Sequence, residues 1–203
     1  MDTTSFRGPR PEVLGPVVGI VLGSDSDRPV MEEAARTLAE FGIAHELVVA
    51  SAHRSPDLLD RYAHSVEARG IRVLIAAAGG AAHLAGALAA RTVLPVIGVP
   101  LDATGLGGLD ALLSTVQMPP GVPVATVSTG SWGARNAAIL AVQMLAASDP
   151  DLRERLREFK ANMARKIEDM AQGLSKPAVT ARPEGPKQSP SSEEIASSLR
   201  SSQ

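Results

Sequence analysis

Apolar and polar positions come in blocks along this chain, and the blocks have two lengths. Short, largely apolar runs fall at residues 17–22, 45–50, 72–77, 93–99 and 122–128, the fourth interrupted by Pro95. Bounded by Gly, Pro and polar turns, such runs read as strands buried on both faces. Between them lie longer segments with apolar residues three or four apart. Val30, Ala34, Leu38 and Phe41 give the pattern in 29–41, which predicts a helix with one buried face. Helices are likewise predicted at 56–69, 84–92, 109–116 and 132–147. Gly42 and Gly70 close the first two helices and Ser55-Pro56 opens the second.

Strand and helix alternate five times with short connections, which predicts an α/β fold with a parallel sheet. Right-handed crossovers make it a flavodoxin-like three-layer α/β/α sandwich, with five strands in the order 2-1-3-4-5. In that order the first three strands are neighbours and their carboxyl ends share one edge. The helix at 132–147 is apolar nearly all round, so burial on more than one side is expected. Asp149-Pro150 then opens a charged helix running to 173, with a single stripe of Leu152, Leu156, Phe159, Met163, Ile167 and Met170. Some twenty helical residues span about 30 Å. This long C-terminal helix has room to lie along its own subunit, but the favoured reading is that it reaches a neighbouring copy in a symmetric homo-oligomer.

The chain is thus expected to hold one α/β domain, residues 16–173, between a flexible leader (1–15) and a disordered tail (174–203). The leader holds Pro9, Pro11, Arg7 and Arg10 without an apolar signal core. The tail is dominated by proline, serine and charge, and buries too little to offset its ordering entropy.

Composition narrows the chemistry. The chain is 44% hydrophobic but only 2% aromatic, so the core must be built from Ala, Val, Leu and Ile. A net charge of −2 argues against nucleic acid or an anionic membrane as the main partner. With no cysteine, disulfides, thiol catalysis and Cys-ligated metal are excluded, and a reducing cytoplasm is the compatible location. No run approaches the roughly 18 uninterrupted apolar residues of a membrane span.

Three strand ends carry unusual polar runs: Gly23-Ser24-Asp25-Ser26-Asp27, Ser51-Ala52-His53-Arg54-Ser55-Pro56 and Ala78-Gly79-Gly80-Ala81-Ala82-His83. Arg54 and the amides that open helices suit an anion, most simply a phosphate. Ser24, Ser26 and Ser51 supply hydroxyls, Asp27 is able to accept from ribose hydroxyls, and Gly79-Gly80 lets a ligand approach the backbone. Together they describe a nucleotide-like sugar phosphate site, without a Walker lysine or GxGxxG spacing. His53, beside Arg54 and opposite two polar loops, is the acid/base candidate. His83 stands either as a second ligand contact or as the first residue of a helix, while His45 and His64 read as structural. No short-spaced His pair favours a metal, and no G-x-S-x-G elbow favours a serine hydrolase.

These three runs, with Leu84 after the third, resemble the signatures of the N5-carboxyaminoimidazole ribonucleotide mutase family (class I phosphoribosylaminoimidazole carboxylase catalytic subunits). Val116-Gln117-Met118-Pro119, Gly121-Val122-Pro123-Val124 and Asn136-Ala137-Ala138 are similar to family segments as well. The resemblance implies an octamer and an isomerase of purine (IMP) biosynthesis that uses no metal, ATP or organic cofactor. The carboxylate would move from the exocyclic nitrogen of the substrate to ring carbon 4. By the same match His53 would protonate the departing nitrogen and later take the carbon 4 proton. Ser24, Asp27 and Arg54 would hold the ribose phosphate, with Ser26, Ser51, Ala52, Ala78, Gly79, Gly80, His83 and Leu84 lining the site. Three departures stand out: Ala85 where the family often has proline, a glycine-rich loop at 101–108 in which Gly107 lacks a side chain that often helps cover the substrate, and Thr129-Gly130-Ser131-Trp132. Two other readings share this fold: a carboxylase acting directly on aminoimidazole ribonucleotide with free carbon dioxide, and a non-catalytic nucleotide-sensing domain.

Overall fold

In the computed structural model, which describes residues 15–174, five parallel strands form one sheet in the order β2-β1-β3-β4-β5. The elements run β1 (Val18–Leu22), α1 (Arg28–Glu40), β2 (His45–Val49), α2 (Pro56–Ser65), β3 (Val73–Gly79) and α3 (Leu84–Ala89), followed by β4 (Val96–Leu101), α4 (Leu109–Val116), β5 (Ala125–Thr126), α5 (Gly130–Ala146) and α6 (Pro150–Leu174). The expected fold and strand order are those observed. The expected leader and tail lie outside the described residues, apart from Gly15 and Leu174 at their inner ends.

Side chains of successive strand residues point to opposite sheet faces, and both faces are covered. Val18, Ile20 and Leu22 join Val73, Ile75 and Ala77 in one cluster with α1, α5 and the start of α6. Val21, Leu74 and Ala76 meet α2 and α3 on the other face. The long helix α6 opens as expected, with Asp149 Oδ1 accepting from the amides of Asp151 and Leu152, both at 3.1 Å. The chain divides into two units after Lys160. In the first, Leu152 and Leu156 are buried, and the Phe159 ring meets Phe41 edge-on at 5.3 Å. In the second, Met163, Ile167 and Met170 of the same stripe are exposed.

Some boundaries move. Helix α2 proper ends at Ser65 rather than 69; residues 66–70 continue as turns, and Gly70 at φ +85 with Ile71 N donating to Val66 O ends them in a Schellman-type closure near the expected position. Strand β4 begins after Pro95, which has no amide to give the ladder, and continues to Leu101. The fifth strand shrinks to two paired residues, Ala125 and Thr126, opposite Ile97 and Gly98. Pro123 breaks its approach from 122. Helix α5 starts two residues early, at Gly130. It leaves Arg135, Asn136 and Gln143 exposed and Ile139, Leu140 and Met144 half-buried.

Register decides where the site lies. Val18 is level with both His45 and Val73, and Leu22 with both Val49 and Ala77. β1 and β2 therefore end level, β3 runs two residues further to Gly79, and the three polar runs begin within one residue of the same height.

Candidate active site

The first run leaves β1 through Gly23, whose amide donates to Ala77 O at 3.1 Å. Asp25–Asp27 then form one 3₁₀ turn before α1. Asp27 stands at the N-cap position of α1, yet its carboxylate folds back to accept from Ser24 N at 3.0 Å. The hydroxyl of Ser26 donates to that of Ser24 at 2.9 Å. Asp25 turns outward to a surface ion pair with Arg28. Burial pushes the Asp27 carboxyl above its usual 3.8, more than the Ser24 amide and the positive charge of Arg54 pull it down.

Arg54 ties the second run to the first. Its guanidinium donates to Gly23 O at 2.8 Å, while its Nε (3.4 Å) and its backbone amide (3.2 Å) both donate to Ser51 Oγ. Guanidinium N–H groups remain for an anion after these bonds. Ser55 takes the N-cap position of α2 as expected, but its hydroxyl donates to Ser51 O at 3.4 Å rather than accepting from the helix.

The third run supplies His83. Its Nδ1 lies 2.9 Å from His53 Nε2, and the two rings meet edge-to-face, 86° apart. His83 is also the N-cap residue of α3, as one of its two expected readings has it. His45 and His64 make local contacts, to Ile43 O at 2.9 Å and Asp60 O at 2.7 Å, away from the cleft.

The three runs enclose a cleft of about 290 Å³, lined by His53 with Ser24, Ser26, Asp27, Ser51, Ala52, Arg54, Ala78, Gly79, His83 and Leu84. Gly23, Ala81 and Ala103 line it too. Ala103 carries no chemical signal in sequence, although it lies in the glycine-rich 101–108 loop. Gly80 stands outside the lining, and its φ of +61 turns the chain from β3 toward Ala81. Gly79 lines the cleft, and a Cβ there would stand 2.4 Å from Ala103 Cβ. The space is filled by the protein itself.

A family model described as AIR carboxylase matches residues 17–166, a span that contains all three runs. The chain belongs to the AIR carboxylase family. Among members of the family, the N5-carboxyaminoimidazole ribonucleotide mutase of Pyrococcus horikoshii is 55% identical over 159 residues, covering 78% of this chain and 89% of that protein. The protein of the same name from Mycobacterium tuberculosis H37Rv is 58% identical over 149 residues, 73% of this chain and 84% of its own. The crystal structure of Treponema denticola PurE superposes with a TM-score of 0.73 at 26% identity, covering 79% of this chain and 99% of that one. Its fold is therefore the family fold.

Proposed function

We propose that this protein is an N5-carboxyaminoimidazole ribonucleotide mutase, an isomerase of purine biosynthesis. The observation that carries the reading is the His53–His83 contact inside a cleft walled by all three strand-end runs, in a chain more than half identical to proteins bearing that name.

The ribose phosphate takes the free N–H donors of Arg54 and the hydroxyls of Ser24 and Ser26, and Asp27 accepts from ribose. His53 protonates the exocyclic nitrogen as its bond to the carboxylate breaks, releasing carbon dioxide within the cleft. Carbon 4 of the aminoimidazole ring attacks that carbon dioxide, and His53 then takes the carbon 4 proton to restore aromaticity. One imidazole serves as acid and then base within a turnover. Nothing charged holds the neutral intermediate, so retention rests on proximity and on walls that exclude water. The steps need no metal, ATP or organic cofactor.

A homo-octamer belongs to the same reading, supported by the exposure of Leu109, Leu113, Val116 and Trp132 on one chain. A cytoplasmic location is supported by the absence of cysteine.

The family model's description favours one rival, direct carboxylation of aminoimidazole ribonucleotide. Purified protein given each substrate separately decides between them. Turnover of the N-carboxylated substrate is expected. Comparable turnover of aminoimidazole ribonucleotide with bicarbonate alone overturns the mutase, and inactivity on both overturns the enzyme.

A further inference from the structure

Residues 102–107 are exposed and contain two of the three glycines that close this loop before α4. Such a segment has little intrinsic shape, yet it supplies Ala103 to the cleft. Two side-chain hydrogen bonds hold it. The Thr104 hydroxyl donates to Asp110 Oδ2 on α4 at 2.8 Å and accepts from Leu106 N at 3.3 Å. The Thr104 methyl faces the turn after β3, where a Cβ on Gly80 would lie 3.6 Å from it. Ala103 is seated against Gly79. The other Asp110 oxygen, Oδ1, is buried and accepts from none of the described residues.

From this chain of contacts, α4 to Asp110 to Thr104 to the Gly79-Gly80 turn, we infer that Thr104, held by Asp110, is a positioning residue. It fixes Ala103 as the part of the cleft wall that packs on Gly79. The inference rests on the mutase reading, in which carbon dioxide must stay beside its acceptor. A wall that swings away opens an exit. The N–carboxylate bond still breaks, its electron pair stays on nitrogen, and nitrogen takes the His53 proton. The carbon dioxide then leaves before carbon 4 attacks, so aminoimidazole ribonucleotide accumulates.

The test compares full-length wild type, Thr104→Val and Thr104→Ser on the N-carboxylated substrate, measuring carboxylated product against aminoimidazole ribonucleotide. Hydrogen exchange at the Leu106 amide is read on the same samples. Losing a side-chain hydrogen bond to a half-buried carboxylate is worth about five- to tenfold in such a partition. Thr104→Val, which keeps the volume and loses the hydroxyl, should raise the leaked fraction by that factor and speed Leu106 exchange, and Thr104→Ser should restore both. An unchanged partition in Thr104→Val overturns the inference, whatever the exchange shows. If the Val variant does not fold, Thr104→Ala takes its place under the same criteria. Wild type inactive on the N-carboxylated substrate would sink the mutase reading instead, and Leu106 exchange would still report whether Thr104 holds the loop.

Discussion

His53 Nε2 and His83 Nδ1 face each other at 2.9 Å, so one imidazole donates where the other accepts. The pair thereby links the second and third strand ends and fixes the ring that faces the cleft. Replacing His53 by Asn keeps a polar group of similar reach but removes proton transfer. Turnover should fall by about 10² to 10⁴, while calorimetric affinity for a product analogue stays within a few-fold. Equal loss of binding would make His53 a ligand contact only.

Arg54 spans two runs through Gly23 O and Ser51 Oγ. Lysine keeps the charge but not the planar fork, so Arg54→Lys should raise KM at least about tenfold, with a smaller effect on kcat. A KM within twofold of wild type would show that the fork is dispensable.

Asp27 has a pKa raised by burial, so the folded state holds its proton more tightly than the unfolded one. Its ionisation therefore weakens the fold. The stability of the protonated form is fully present below the unfolded value of 3.8 and is lost as pH rises through the higher folded value. Asp27→Asn should match wild type in Tm at acid pH and exceed it above that window, while losing substrate affinity. A Tm difference independent of pH would refute this sign.

Gly79 and Ala103 fill one space, since a Cβ on Gly79 would come within 2.4 Å of Ala103 Cβ. Gly79→Ala alone should displace residues 102–104 and cut kcat/KM roughly tenfold, with a cost of order 1–3 kcal/mol from overpacking. Adding Ala103→Gly should recover much of the stability, a coupling that denaturant midpoints of the four-variant cycle would measure.

The sheet order and the convergence of the three runs were legible because strand and helix periods alternate cleanly and each polar run follows a strand. What stayed hidden depended on tertiary contact. Whether Asp27 caps α1 or bonds Ser24 is a choice between two nearby amides, made by how the turn packs. Ala103 carries no chemical signal and lines the cleft only because Gly79 lets it in. The short β5 follows from Pro123 and from the ladder position of Ile97 and Gly98, neither of which the reading of 122–128 as one strand takes into account. His83 reads in sequence as a helix start or a ligand contact; the helix start is observed, and its contact with His53 depends on where the second strand ends.

The common height of β1, β2 and β3, set where Val18 faces His45 and Val73, also constrains how such a chain can diverge. A residue gained or lost inside any of these strands would slide one run by about 3.3 Å and reverse the facing of every side chain beyond it. Connections at the opposite edge, residues 41–44 and 66–72, carry no such phase. Length variation among descendants of this chain should therefore collect at that edge, leaving the spacing from each strand to its polar run untouched.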